Sequence, residues 1–177
     1  GTVAVMSGYP AHPVVSVMKY PQKAHTLPAI ARSLQKEGYA TSFMYGGDAN
    51  FTNTISYLYG TGVEQIIDKA QMHFDAPTNK WGYADDVVCP YFADEVLRLS
   101  QQERPFFATL LTLSSHEPFD VPHAAFENKI LNSANYTDQC IGEMIDTWRN
   151  SPAWEDMLVI LIADHGISYP EGITIGS

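Results

Sequence analysis

The chain has 177 residues, 20 acidic against 10 basic side chains, a formal charge of −10 and 45% apolar content, which describes one globular domain and not a disordered chain. Lysine and arginine are scattered singly, so there is no basic stripe to neutralise nucleic-acid phosphates or to dock on anionic lipid. The longest apolar runs, Phe106 to Leu113 and Met157 to Ala163, are far shorter than the about 20 residues of a membrane-spanning helix.

Gly1-Thr2-Val3-Ala4-Val5 reads as the middle of an element, and no signal-peptide succession opens the chain, so a piece of a longer protein is expected. Thr26, ahead of Leu27-Pro28-Ala29-Ile30 with Gly38 closing, carries the end signals of a helix: an N-cap, an early proline and a C-terminal glycine. Tyr39 to Tyr45 then reads as a strand running into Gly46-Gly47-Asp48. The aromatic-rich stretch Phe51 to Tyr59, Trp81-Gly82 and Tyr136-Thr137-Asp138 read as packing and turn residues.

Asp85-Asp86 offer caps and N-terminal negative charge for a helix reaching about Ser100, with Pro90 near its first turn and Val88, Phe92, Val96 and Leu99 at helical spacing. Pro105 to Leu113 reads as a buried strand. Asn132 to Arg149 places Thr137, Ile141, Met144, Ile145 and Trp148 on one helical stripe. Met157 to Ala163 is continuously apolar, as strands covered on both faces are. Cys89 and Cys140 lack CxxC spacing and are expected to be buried thiols.

Strands separated by helices at these intervals need crossover connections, which predicts an α/β fold with a mostly parallel sheet and helices on both faces. In such sheets ligands gather at the carboxyl ends of strands. Three strand ends deliver polar groups there: Gly46-Gly47-Asp48, Ser114-Ser115-His116 and Asp164-His165-Gly166.

An adjacent Asp-His pair offers a hard oxygen and an imidazole nitrogen, which suits a divalent cation such as Zn or Mn, with Gly166 permitting the bend that would bring both to one ion. The bland reading of the same dipeptide is a capping Asp beside a hydrogen-bonding His. His116-Glu117 begins the zincin pattern HExxH, but the fifth residue is Asp120 and Pro118 would break the required helix, so that reading fails. Ser115 beside His116 lacks a GxSxG elbow, which removes a serine hydrolase. His116 reads either as a binder of an anionic oxygen or as a loop-stabilising histidine. Gly46-Gly47 would let backbone N–H groups approach a phosphate, or simply make a turn. His12, His25, His73 and His123 stand at no ligand spacing.

Taken in order, Ser7-Gly8-Tyr9-Pro10, Thr26-Leu27-Pro28, Gly38-Tyr39, Phe43-Met44-Tyr45-Gly46-Gly47-Asp48, Asn50-Phe51, Trp81-Gly82, Pro105-Phe106-Phe107, Thr112 to Phe119, Tyr136-Thr137-Asp138 and Asp164-His165-Gly166 resemble the sulfatase-like branch of the alkaline phosphatase superfamily. Within it they are most similar to lipoteichoic acid synthases and related phosphoglycerol transferases. The resemblance spans nearly the whole chain, so residues 1–177 are expected to be a fragment of one sulfatase-like catalytic domain.

The resemblance implies a metal-dependent phosphoglycerol transferase or phosphate-ester hydrolase. Its parent would be membrane-anchored in the bacterial cell envelope, with the catalytic domain periplasmic or extracellular. It further implies that Asp164 and His165 ligate a divalent metal (Mn, Zn, Mg or Ca) and that His116 contacts the substrate phosphate. The nucleophilic Thr and the remaining acidic ligand belong upstream of Gly1, so no catalytic nucleophile is assigned here; weak metal binding and an inactive fragment are expected. Where lipoteichoic acid synthases carry Phe-Trp-Asn-Arg this chain reads Phe51-Thr52-Asn53-Thr54, without an arginine to clamp a phosphate. The competing readings are a sulfatase acting on sulfate esters and a non-catalytic extracellular binding domain of the same fold.

Overall fold

The computed structural model describes residues 1–10 and 16–166. Three parallel strands, β1 (Ala40–Tyr45), β2 (Gln65–Ile67) and β3 (Phe106–Leu111), lie in the order β2-β1-β3. Central β1 pairs Ser42 with Gln65 on one side and with Ala108 on the other. Parallel neighbours need crossovers, and α4 (Thr54–Gly60) and α5 (Asp85–Ser100) supply them after β1 and β2. Helices α1 (Thr2–Ser7), α2 (Pro21–Ala24) and α3 (Ile30–Lys36) precede the sheet, and α6 (Lys129–Arg149) follows β3.

Alternation of side chains along β1 and β2 divides the core in two. Phe43 and Ile66 pack with Met6, Ala31, Tyr57 and Leu58 beneath α1, α3 and α4. Met44 and Ile67 pack with Val88, Phe92 and Val96 of α5 and with Cys140, Met144 and Trp148 of α6. Helices therefore cover both faces, as the predicted class requires. α5 and α6 are further joined by the Trp148 indole N–H, which donates to the Ala93 carbonyl at 3.2 Å.

Several elements differ from the sequence expectation. Thr26 caps no helix: its hydroxyl donates to the Lys23 carbonyl at 2.8 Å and closes the turn after α2, while α3 begins at Ile30. Pro28 explains the break, since it lacks an N–H and disfavours helical geometry at Leu27. The Phe51 to Tyr59 stretch holds all of α4 but its last residue, Gly60, and three-residue β2 carries no readable period.

The largest correction concerns Met157 to Ala163, which forms no ladder with any described strand. Met157 and Val159 pack against the α5–α6 core, whereas Leu158 is 85% and Ile160 67% exposed. Continuous apolarity signals burial on both faces, but a strand also needs a neighbouring backbone to bond.

Cys89 and Cys140 are buried and free, as expected. Burial, followed by the charge of Asp85, raises both thiols, and that of Cys140 is pushed up to about 12. A thiol raised above its ordinary value of 9.0 contributes stability that is whole below that pH and lost as pH rises toward about 12. Both cysteines should therefore resist a thiol reagent at neutral pH until the chain is denatured, and denaturant stability should fall across that alkaline window. Equal reactivity in folded and unfolded chain would contradict the packing. Phe43→Ala, at a core position 1% exposed, should cost about 3–5 kcal/mol in the same unfolding measurement.

Candidate functional site

The carboxyl end of β1 runs into Gly46-Gly47-Asp48, and both glycines are spent on close backbone approach. The Gly46 carbonyl accepts from the Tyr83 N–H at 3.0 Å, and Gly47 bridges to Gly82. A Cβ on Gly82 would overlap the Gly46 carbonyl, and one on Gly46 would meet the Val88 side chain and the Tyr83 carbonyl. Lys69 N–H bonds the Gly47 carbonyl at 3.0 Å, which ties the turn after β2 to the same spot. The pair is thus a packing junction, not an open phosphate cradle.

Just beyond it, Asp68, 1% exposed, accepts from Ala49 N–H at 3.0 Å and Ala70 N–H at 2.8 Å. Asp48 stays exposed, with Asn50 donating to its Oδ1 from the backbone at 2.9 Å and from Nδ2 at 3.0 Å. Thr52 and Asn53 then adopt left-handed backbone, with φ of 56° and 65°, and the turn into α4 leaves Phe51 63% exposed.

The carboxyl end of β3 is held from beneath by Asp85. Its Oδ1 accepts from Leu113 N–H at 2.8 Å, and its Oδ2 from Ser114 N–H at 3.1 Å and the Thr137 hydroxyl at 2.9 Å. The Asp85 N–H in turn donates to Ser114 Oγ at 2.9 Å. Ser115 and His116 emerge exposed from this anchored turn, at the edge where the parallel strands end, as expected for His116. The His116 ring meets Trp81 edge-on with centroids 5.0 Å apart, and Trp81 in turn meets Phe51 at 5.9 Å. Lys80 Nζ lies 4.8 Å from the Trp81 ring centre. Trp81 and Thr137, read from the sequence as packing residues, are therefore part of the site's support.

Asp164 and His165 are neighbours in space as well as in sequence, with Oδ1 and Nε2 3.6 Å apart. His165 Nδ1 lies 2.9 Å from the Gly166 carbonyl, which leaves Nε2 for other partners. They do not end a strand of the described sheet, contrary to expectation, because the preceding segment lacks a ladder. Instead Asp164 lies against the amino end of α1: a Cβ on Gly1 would overlap its carboxylate. Among the described residues no group of three or more His, Cys, Asp or Glu is arranged to hold a metal. His116 makes none of its hydrogen-bond or ring contacts with Asp164 or His165. Of the other histidines, His25 bonds the Ser56 carbonyl at 3.2 Å, and His12 lies outside the described residues.

Comparison with known proteins bears on the family and the fold. The family model for Sulfatase matches residues 2–175. Phosphoglycerol transferase I of Xanthomonas campestris pv. campestris is 27% identical over 146 residues, covering 75% of this chain and 21% of that protein. Lipoteichoic acid synthase 2 of Bacillus subtilis is 24% identical over 157 residues, covering 81% of this chain and 24% of that protein. The chain thus spans about a quarter or less of the curated relatives it matches. A protein in the alkaline phosphatase superfamily from Vibrio parahaemolyticus superposes with a TM-score of 0.79 at 30% identity, over 88% of this chain and 40% of that one. With a family match running through almost its full length and a parallel sheet shared with that superfamily, the chain belongs to the Sulfatase family.

Proposed function

We propose that this chain is part of the catalytic domain of a metal-dependent enzyme that transfers phosphoglycerol or hydrolyses a phosphate ester. The observation that carries the reading is the accessible Asp164–His165 pair set against the amino end of α1. By the family resemblance, the nucleophilic Thr and the remaining acidic ligand belong upstream of Gly1, whose backbone lies beside the Asp164 carboxylate. The names of the relatives, a phosphoglycerol transferase and a lipoteichoic acid synthase, favour a phosphoglycerol donor over a sulfate ester. They also favour a parent in the bacterial cell envelope, acting outside the cytoplasm. The membrane anchor rests on the resemblance; among the described residues no helix is long and apolar enough to cross a membrane.

The donor set fits a borderline divalent cation such as Mn or Zn. Asp164 supplies a carboxylate oxygen, and His165 supplies Nε2 because its other nitrogen is committed to Gly166. When bound, such a cation supplies Lewis-acid activation of a hydroxyl and neutralises charge on a phosphoryl oxygen. His116 directs Nδ1 to the Glu117 carbonyl at 2.9 Å, which leaves Nε2 turned outward to meet a substrate phosphate. With no arginine in Phe51-Thr52-Asn53-Thr54, His116 carries more of the phosphate recognition on this edge, with Lys80 close by over Trp81.

In the full-length parent, His165→Ala should abolish turnover of a glycerophosphate ester, and His116→Ala should lower kcat/KM about 10²- to 10³-fold. Faster turnover of an aryl sulfate than of the phosphate ester would identify a sulfatase instead. The chain by itself should show no turnover. A closed site recruits three or four protein ligands, so calorimetric titration of the chain with Mn or Zn at neutral pH should reveal only weak binding. Submicromolar binding lost in His165→Ala would show that further ligands within the chain complete the site.

A further inference from the structure

We propose that Trp81 and Asp85 form a bracket that positions His116, Asp85 fixing the base of its turn and Trp81 its tip. What His116 binds rests on the function proposed above; how it is held rests on geometry alone.

Asp85 is 1% exposed, and a carboxylate so placed is tolerated only where donors replace water. Two of its three donors are the consecutive backbone N–H groups of Leu113 and Ser114, shortly beyond Leu111, the last residue of β3 that the ladder holds. The reciprocal bond from Asp85 N–H to Ser114 Oγ closes the arrangement in both directions. His116 N–H bonds back to the Leu113 carbonyl at 3.1 Å, so the histidine is one hydrogen-bonded turn from the clamp.

The tip is fixed from the same lead-in to α5. The Trp81 indole N–H donates to the Glu117 carbonyl at 2.6 Å, and His116 Nδ1 lies 2.9 Å from that oxygen. A carbonyl only accepts, so both nitrogens donate to it and its two lone pairs are filled. The neutral imidazole therefore carries its proton on Nδ1 and presents Nε2 outward. His116 itself is exposed, so core packing does not orient the ring; the Trp81 edge and the shared carbonyl do. Asp85 and Trp81 touch neither metal donor and are positioning residues.

The test is nitrogen-15 NMR of the histidine rings in this chain, whose two-bond couplings report which nitrogen bears the proton. In the unsubstituted chain neutral His116 should be the Nδ1–H form. Trp81→Phe and Asp85→Asn should each lower the ratio of Nδ1–H to Nε2–H about 2- to 10-fold, the range one hydrogen bond supplies. Should Asp85→Asn fail to fold, Ser114→Ala takes its place, since it removes only the acceptor of the Asp85 N–H. An unchanged ratio in Trp81→Phe and in the Asp85 or Ser114 variant overturns the bracket. A parallel titration with inorganic phosphate separates the two readings. If the ratio falls in the variants while phosphate leaves the unsubstituted His116 resonances unmoved, the positioning holds and the phosphate role of His116 fails.

Discussion

Buried carboxylates take hold of the backbone where this chain leaves its sheet. Asp68 stands just past β2 and Asp85 opens α5, each 1% exposed, and each satisfies its oxygens with N–H groups of segments that have just left a strand. Such a group costs several kcal/mol if left unmatched, so the loops that supply its donors are constrained about as firmly as the ladder itself. The two loops so constrained are the one after Asp48 and the one before His116. The rigidity of the carboxyl edge is therefore built by charge satisfaction beyond the strand ends, where ladder bonds have stopped.

The same logic explains why Trp81 stands where it does. Gly82 approaches the Gly46 carbonyl more closely than any side chain would allow, and the Tyr83 N–H completes the contact. That junction fixes the lead-in to α5 against the end of β1, with Trp81 on one side and Asp85 on the other. Trp81 then reaches Glu117, and Asp85 reaches Leu113 and Ser114, so the turn after β3 is gripped by a segment that is itself docked on β1. Substituting either glycine would strain the site at a distance, without touching a polar group in it.

Much of this was legible in the sequence, and the boundary of legibility is physical. Helix α5 and strands β1 and β3 were readable because helical or continuously apolar patterning ran for six residues or more, although β3, expected to be buried, is only half-buried along its length at the edge of the described sheet. The Ser-Ser-His segment was readable as strand-end chemistry because the apolar run before it forms β3, whereas the same inference misplaced Asp-His-Gly, whose apolar run pairs with no described strand. Strand β2 was not, since three residues carry no period, and α4 was hidden because its aromatics look like packing anywhere. The roles of Thr137 and Asp85 were out of reach because their partners lie 52 and 28 or more residues away, and a side-chain bond of that span leaves no local pattern. Asp85 was read as a helix-end charge. It does open α5, but its carboxylate is spent on a different segment.

The two halves of the proposed site are held by unequal means, and this bears on how each would work. His116 is fixed before any ligand arrives, by a buried charge and a shared carbonyl, so an anion meeting it would spend little on ordering the ring. Asp164 and His165 follow a segment with Leu158 and Ile160 exposed and no ladder, and Gly166 after them adds freedom. Among the described residues, their mutual contact, the Gly166 carbonyl and the approach of Gly1 restrain them. A cation binding there must supply the order itself, and its affinity is reduced by the entropy of fixing two side chains and their backbone. Anything that pairs with the backbone of Met157 to Ala163 would remove that cost before the cation binds. On the proposed assignment of Asp164 and His165, metal affinity would thus be coupled to strand pairing some residues away, through entropy and without any added ligand.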